Sequence, residues 1–243
     1  MRGFSGRKIL VTGATRGLGA AVASWLAQGG ADVLGVGRTR PADGCIGVRV
    51  SQRDLTSRDG LSGLILQAKD FRPDTIIHAM GGGFGLSSDF ITTDEFNYLL
   101  KVNFLASLEI NNALVPLMVA RKQGWVVHVG SVATRELTAS VGYTCVKSLI
   151  APYVKSMGRR LLVDSVYFSG ITLGAITGCA GAIDRLHADR PAVFTNFIEH
   201  RRPSKRATPV NEILPYFGLL LKETARIHAS NMIILDEAES VAI

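Results

Sequence analysis

The chain has 243 residues, of which 47% are apolar and 19% are charged, and its formal net charge is +7. This composition suffices for the core of one α/β domain over residues 1–243, and no apolar run approaches the ~18 residues that span a bilayer. The basic residues are scattered except at 200–206, and the three cysteines show no metal-ligand or disulfide spacing, so we expect a reduced, cytoplasmic protein without metal, nucleic acid or membrane partners.

Seven strand-like apolar runs alternate with segments of helical spacing or composition. The runs are Lys8 to Thr12, Asp32 to Gly37, Ile46 to Val50, Asp74 to Ala79, Trp125 to Gly130, Asp164 to Phe168 and Met232 to Leu235. Strands this apolar are buried on both faces, which requires helices on both sides of a parallel sheet. The sequence therefore predicts an α/β fold built on a doubly wound parallel sheet of about seven strands.

A glycine-rich turn follows the first strand and leads into a helix over Ala20 to Gln28. Gly13 permits a tight turn, Gly17 lets the backbone approach a pyrophosphate, and Gly19 lets the helix pack closely on the strand. The free N–H groups and positive dipole end of the helix would bind an anion. An ordinary strand-to-helix turn is the alternative. The candidate phosphate-binding residues are Gly13, Thr15, Arg16, Gly17, Leu18 and Gly19.

The end of the second strand indicates which dinucleotide would bind. An acidic residue at this point accepts a ribose 2′-hydroxyl, whereas arginine attracts a 2′-phosphate. Gly37 stands at the acidic position, Arg38 and Thr39 follow it, and Arg16 adds a second basic group. The sequence predicts NADP(H) as the cofactor, the alternative being that both arginines are merely exposed.

Two features lie between the dinucleotide segments and the catalytic candidates. The fourth strand leads through His78, to which we assign no chemistry, into Ala79-Met80-Gly81, where glycine leaves room for backbone beside a cofactor. The segment Thr93 to Pro116 is predicted to form two successive helical pieces, with Asn103 in the middle of an apolar face. A buried asparagine must be hydrogen-bonded, so Asn103 has a specific partner.

Three side chains carry the predicted chemistry. Ser131 ends a strand at the carboxyl edge of the sheet, and Tyr143 and Lys147 are four residues apart, so on a helix both project from one face. A lysine ammonium at ~4 Å is worth roughly 4 kcal/mol, or about three pKa units, which would bring the phenol near pH 7. With Ser131 polarising a substrate oxygen, Tyr143 is the predicted general acid or base.

In this order, Thr12 with the glycine turn, Asn103, Ser131 and the Tyr143/Lys147 pair resemble the short-chain dehydrogenase/reductase family, which has a Rossmann-like fold. The resemblance implies that Asn103 kinks its helix and holds a water leading to Lys147, and that Lys147 holds the nicotinamide ribose. It also implies a substrate lid over residues 178–206. The helices Thr93 to Leu117 and Val141 to Leu161 would pack against a symmetry mate, giving a homodimer or homotetramer.

The resemblance adds further cofactor residues and shows several departures. Asp54 with Leu55 would lie against the adenine, or Asp54 would instead be the acidic N-terminal residue of the next helix. Gly170 and Thr172 would serve the nicotinamide, although Ser169 stands where the family commonly has proline. The family asparagine is replaced by His78, Asp236-Glu237-Ala238 replaces Asp-Gly-Gly, and the spacing from Ser131 to Tyr143 is one residue short.

Three functions follow from these residues. The first is an NADP(H)-dependent oxidoreductase acting on a small carbonyl or alcohol substrate, for which an anionic group would match the basic chain. The second is an enzyme of the same fold acting on a nucleotide-linked sugar or polysaccharide precursor, suggested by the turn Gly81-Gly82-Gly83 and the basic lid. The third is a regulatory protein that binds the dinucleotide without turnover, a class that usually loses the tyrosine or the lysine.

Overall fold

Strands and helices alternate along the chain in this computed structural model, which describes residues 3–40, 45–137 and 139–241. The strands are β1 (Lys8–Thr12), β2 (Asp32–Gly37), β3 (Val48–Gln52), β4 (Thr75–His78), β5 (Gly124–Ser131), β6 (Val166–Leu173), β7 (Ile176–Thr177), β8 (Thr208–Pro209) and β9 (Met232–Leu235). The helices are α1 (Gly17–Gln28), α2 (Arg58–Phe71), α3 (Thr93–Leu100), α4 (Ala106–Ala120), α5 (Ala133–Glu136), α6 (Val141–Ser148), α7 (Ile150–Leu161), α8 (Ala182–Asp189), α9 (Pro191–Arg201) and α10 (Val210–Leu220).

Seven strands form one parallel sheet in the order β3-β2-β1-β4-β5-β6-β9, while β7 and β8 form a separate parallel pair. The strand order reverses between β1 and β4. A crevice opens beyond the carboxyl ends of the strands at such a reversal, and ligands of doubly wound sheets bind there. The predicted fold class is confirmed.

The sheet separates two apolar cores. Ile9 and Val11 of β1 face one side, where α1 and α10 pack, whereas Leu10 faces the other side, where α2, α4 and α7 pack. Because successive strand side chains point to opposite faces and both faces are covered, the strands are apolar without alternation.

The helical run Thr93–Ala120 is interrupted at the predicted place. Thr92 and Glu95 form a capping box that begins α3, and a π-helical turn, Lys101–Leu105, separates α3 from α4. Asn103 is buried in this turn. The second helical piece, α4, was predicted to end at Pro116 but continues to Ala120, so that Pro116 lies inside the helix.

By length and composition alone, the helical run Thr93–Ala120 could cross a membrane. No such segment was expected from the sequence, because no uninterrupted apolar run in it is long enough. Its mean hydropathy is 1.3 over an 18-residue window, and half of that window is buried inside the fold. Ile110 and Leu114 belong to the core beneath α2 and α7. The core helices of soluble proteins have the same composition.

The sixth strand differs most from its prediction. The strand was expected to end at Phe168, yet β6 continues to Leu173 and pairs along its whole length with β5, so that Leu173 lies opposite Ser131. Ser169 and Gly170 resemble turn residues in sequence, but both lie inside the strand. Gly170 is needed for packing instead, because a Cβ there would collide with the Met232 side chain.

Candidate active site

A cleft of about 900 Å³ opens at the carboxyl edge of the sheet and brings together most of the predicted site residues. Those lining it are Gly13, Thr15, Arg16, Gly17, Leu18, Gly19, Arg38, Thr39, Asp54, Ala79, Gly81, Ser131, Tyr143 and Lys147. Leu55, Asn103, Gly170 and Thr172 do not line it. Elements distant in sequence therefore converge on one site large enough for a dinucleotide with a small substrate.

The glycine turn is shaped to receive phosphate. Gly13 and Gly17 adopt φ values of +73° and +62°, in the left-handed region that favours glycine. Helix α1 begins at Gly17 with an extended Arg16 as its N-cap, without a side-chain cap and without an acidic residue in the first turn. Among the residues that the structure describes, and apart from its chain neighbours and its own helix, Gly17 has no atom within 4 Å of the point where a Cβ would stand. The dipole end of α1 thus faces open space, and it fits a dinucleotide pyrophosphate.

The last residue of β2 leaves no room for a carboxylate side chain. A Cβ on Gly37 would collide with the side chain of Thr15. Arg38 follows at the cleft rim, where its Nη1 donates a 3.0 Å hydrogen bond to the Tyr98 hydroxyl and its Cζ lies 5.6 Å from the centroid of the Phe84 ring. The rim at this end is therefore basic and has no acidic side chain at position 37.

Asp54 and Leu55 separate in the structure. Asp54 lines the cleft, and its Oδ1 accepts hydrogen bonds from the backbone N–H of Thr56 at 2.8 Å and from its hydroxyl at 2.7 Å. Burial raises the pKa of the Asp54 carboxyl, but the bonds from Thr56 and the charge of Arg38 lower it further, so the net shift is downward. Ser57, not Asp54, caps α2. The side chain of Leu55, which the resemblance places with Asp54 beside the adenine, is buried in the core.

Ser131, Tyr143 and Lys147 meet at the centre of the cleft. The Lys147 side chain is buried, and its Nζ donates a 3.0 Å hydrogen bond to the backbone oxygen of Val129 while lying 5.8 Å from the centroid of the Tyr143 ring. The Ser131 hydroxyl is hydrogen-bonded to the Tyr143 phenol. The helix α6 places tyrosine and lysine on one face, as the four-residue spacing predicted.

The pKa of Tyr143 shifts in the opposite direction to the prediction. Burial raises it above the ordinary value for a phenol, and the hydrogen bond with Ser131 offsets this only in part. The Lys147 ammonium is directed at Val129 rather than at the phenolic oxygen. Burial also lowers the pKa of Lys147 to about 8. At neutral pH the phenol therefore keeps its proton and most of the lysine is charged.

Asn103 acts on the backbone beside Lys147. Its Nδ2 donates to the backbone oxygens of Leu99 at 2.9 Å and Gly82 at 3.0 Å, and its Oδ1 accepts from the Gly82 N–H at 3.0 Å. A Cβ on Gly81 would stand 2.6 Å from Asn103 Oδ1 and 3.0 Å from Lys147 Nζ. The specific partners predicted for Asn103 are thus the backbone groups of Leu99 and Gly82, which fix a glycine turn in contact with the lysine.

Sequence reasoning missed the segment that follows β6. Gly170 and Thr172, which the resemblance assigns to the nicotinamide, lie inside β6, whereas Leu173, Gly174, Ala175 and Ile176 line the cleft. The length of β5 could have revealed this segment. A neighbouring strand of the same length as β5 would end opposite Ser131, beyond the predicted end of β6. Other cleft residues that the sequence did not reveal are Gly82, Gly83, Phe84, Ile183, Phe197 and Glu239.

Comparison with known proteins identifies the family of the chain. The sequence model of the short chain dehydrogenase family matches residues 7–184. The chain belongs to that family. The short-chain dehydrogenase/reductase cdmF of Talaromyces verruculosus is 30% identical over 196 residues, covering 77% of each protein.

Two solved structures share the fold of this short-chain dehydrogenase. The NADP-bound 3-oxoacyl (acyl-carrier-protein) reductase of Agrobacterium tumefaciens C58 superimposes with a TM-score of 0.86 at 24% identity, covering 97% of this chain and 95% of that one. A 4-hydroxyisoleucine dehydrogenase complexed with NADH has a TM-score of 0.84 at 17% identity, covering 98% and 100%. The same fold thus accommodates either dinucleotide.

Beneath the cleft, this dehydrogenase buries a pair of histidines. His78 and His128 are register partners on β4 and β5, with ring centroids 4.5 Å apart. The Asn111 Oδ1 lies 2.9 Å from His78 Nε2, and its Nδ2 lies 3.2 Å from His128 Nε2 and from the Tyr153 hydroxyl. Burial lowers the pKa of His78 to about 4, and that of His128 well below 6.5. Both rings are neutral at physiological pH.

We expect the buried histidines to make the folded protein less stable in acid. The His78 ring binds a proton near pH 6.5 in the unfolded chain but only near pH 4 in the folded protein. Its contribution to the free energy of unfolding is therefore complete above pH 6.5 and is lost as the pH falls from 6.5 to 4. Between pH 7.5 and pH 5 the loss of stability from His78 is about 2 kcal/mol. Chemical denaturation at pH 7.5 and 5 measures it, with the neutral variant His78→Gln as the comparison. If the stability of His78→Gln fell with pH as much as that of the wild type, His78 would not be the source of the acid sensitivity.

Proposed function

We propose that this oxidoreductase of the short-chain dehydrogenase family is NADP(H)-dependent and transfers hydride between the nicotinamide and a carbonyl or secondary alcohol. The observation that carries the proposal is that Ser131, Tyr143 and Lys147 line one cleft together, with Lys147 Nζ 5.8 Å from the centroid of the Tyr143 ring. The three groups supply a hydrogen-bond donor, a proton and a fixed positive charge, which are what the reduction of a carbonyl requires.

The chain's own residues fit this cofactor. The glycine turn and the N-terminus of α1 would hold the pyrophosphate, and Arg38 with Arg16 would hold the 2′-phosphate. Lys147 would hold the nicotinamide ribose, as the family resemblance implies. Bound NADPH would supply the hydride. Because similar structures contain either NADP or NADH, the choice between them rests on the two arginines rather than on the fold.

Proton transfer is assigned to Tyr143. The Ser131 hydroxyl donates a hydrogen bond to the carbonyl oxygen, which polarises the bond, and the Tyr143 phenol gives its proton to that oxygen as hydride reaches the carbon. The raised pKa of Tyr143 keeps this proton in place beforehand. The nearby Lys147 ammonium stabilises the tyrosinate that remains. The products are the alcohol and the oxidised dinucleotide.

The substrate would lie between Tyr143 and a lid formed by α8 and α9. Phe84, Ile183 and Phe197 give this part of the cleft apolar walls, and Arg185 of α8 also lines it. A small carbonyl compound with an apolar body and an anionic group fits these side chains. We propose that residues 178–206 form the substrate lid, as the family resemblance implies.

The other two functions have less support. Arg202 and Arg206 of the basic run are paired with glutamates, so neither guanidinium is free to bind a sugar phosphate. The complete set Asn103, Ser131, Tyr143 and Lys147 speaks against a regulatory protein without turnover. A direct assay distinguishes both alternatives from the proposed function.

The assay incubates the purified protein with NADPH and a panel of ketones, aldehydes, 3-oxoacyl thioesters and keto sugars. Consumption of NADPH with at least one class is the expected result. Binding of NADPH without turnover on any member of the panel would favour the regulatory alternative, and turnover confined to nucleotide-linked keto sugars would favour the other one.

We also propose a homodimer or homotetramer. Large apolar side chains stand partly or largely exposed on the outer surface of α4 and at both ends of α7: Leu117, Leu149, Leu162 and Val163. Burying such a surface against a second copy is favourable. Light scattering at micromolar concentration is expected to give at least twice the monomer mass, and a monomeric mass would contradict this prediction.

A further inference from the structure

Two segments that the proposed function leaves unexplained meet around one buried arginine. Arg202 comes from the basic run at the end of the lid, and its side chain is completely buried. Its Nη1 donates to the backbone oxygen of Asp236 at 2.8 Å and to Glu239 Oε2 at 2.6 Å. Its Nη2 donates to the Thr208 hydroxyl at 2.8 Å, and Glu237 Oε2 lies 3.6 Å away. The acidic C-terminal loop therefore surrounds the basic lid residue.

This arrangement is specific because a buried guanidinium needs every one of its hydrogen-bond partners. Its Nε also donates to the backbone oxygen of Arg206 at 2.9 Å. An arginine fork is planar and rigid, so its partners on the lid, on β8 and on the C-terminal loop must keep one relative position. The fork consequently fixes three separate segments to one another.

The same network holds the backbone of the segment Leu173–Ile176. Glu239 Oε2, which binds Arg202, also accepts a 2.8 Å hydrogen bond from the Ala175 N–H. The Ala175 oxygen accepts from the Thr208 N–H at 2.9 Å. A Cβ on Gly174 would lie 2.8 Å from Arg202 Nη1. Both polar backbone groups of Ala175 are thus held by the network, and only glycine fits before it.

The held segment belongs to the catalytic end of the cleft. Leu173 lies opposite Ser131 in the sheet, and the segment lines the cleft together with Tyr143 and the Glu239 side chain. A second contact secures the C-terminal loop on the other side of the site, where the Val241 N–H donates to Glu136 of α5 at 2.8 Å. The C-terminal segment is therefore in contact both with Leu173–Ile176 and with α5.

We propose that Glu239 and Arg202 are positioning residues that hold Leu173–Ile176 against the nicotinamide end of the bound dinucleotide. This inference rests on the proposed function, which places the nicotinamide ribose at Lys147. The pair acts through the backbone of Ala175 and leaves the phosphate end of the cleft unaffected. Loss of the Glu239 carboxylate would therefore weaken contacts to the nicotinamide half alone.

The test compares two ligands by fluorescence or calorimetric titration: NADPH, and 2′-phospho-ADP-ribose, the same dinucleotide without the nicotinamide. Glu239→Ala is expected to weaken NADPH binding about tenfold, the value of one charge-assisted hydrogen bond. Binding of 2′-phospho-ADP-ribose should stay within about twofold. Glu239→Gln should recover part of the loss, because an amide oxygen still accepts from Ala175.

The matched control is Glu212→Gln, which breaks the neighbouring exposed ion pair between Glu212 and Arg206 and should change neither affinity. Thermal unfolding checks that each variant is folded, and Glu239→Gln carries the comparison if Glu239→Ala is not. Equal losses for both ligands, or no loss for NADPH in either Glu239 variant, would overturn the proposal. A wild-type protein that binds neither ligand would instead refute the proposed function itself.

Discussion

Replacing Tyr143 with phenylalanine is expected to lower turnover by at least about a hundredfold while leaving NADPH affinity nearly unchanged. The substitution removes one hydroxyl, which donates the proton in the proposed reaction and is hydrogen-bonded to Ser131. The aromatic ring that packs beside Lys147 is retained. Steady-state rates with any carbonyl substrate found in the panel, together with NADPH titration of both proteins, provide the measurement.

Tyr153→Phe is the matched control for this experiment. Tyr153 is also largely buried, and its hydroxyl bonds to Asn111 beneath the cleft rather than within it. Loss of this hydroxyl should lower the stability of the protein, but it should not lower turnover by about a hundredfold. Wild-type turnover in the Tyr143→Phe protein would exclude the mechanism, and equal losses in both variants would mean that the effect is structural.

The residues that could be predicted from sequence are those whose geometry is set locally. Tyr143 and Lys147 share one face because a helix fixes side chains four residues apart, and Gly17 stands at a left-handed position that glycine alone adopts easily. Such residues need no knowledge of distant contacts. The glycine turn, the catalytic cluster and the strand alternation were accordingly recognised from the sequence.

The remainder depended on contacts between residues far apart in the chain. Gly170 resembles a turn residue in sequence but lies inside β6, where a Cβ would collide with the side chain of Met232, 62 positions later. The direction of the Tyr143 pKa shift follows from burial, which spacing along one helix does not reveal. The basic run could not be interpreted because the partners of Arg202 lie in the C-terminal loop. Tertiary packing decided each of these cases.

The choice of cofactor is the second property for which a large effect is expected. Each charge-assisted bond from an arginine to the 2′-phosphate is worth roughly 1.5 to 3 kcal/mol, so one contact gives a discrimination of about ten- to over a hundredfold. Arg38 stands at the cleft rim, and Thr15 leaves no room for a carboxylate at Gly37. Wild type is therefore expected to bind NADPH at least about tenfold tighter than NADH.

Arg38→Asp would remove this attraction and place a negative charge beside the phosphate, so it should abolish or reverse the preference. Because Arg38 also donates to the Tyr98 hydroxyl, Tyr98→Phe is the control that removes this bond and keeps the charge. We expect the control to retain the preference for NADPH. Fluorescence titration of all three proteins with both dinucleotides is the measurement. Equal affinities in the wild type would mean that Arg38 and Arg16 point into solvent, and that the end of β2 does not select the cofactor.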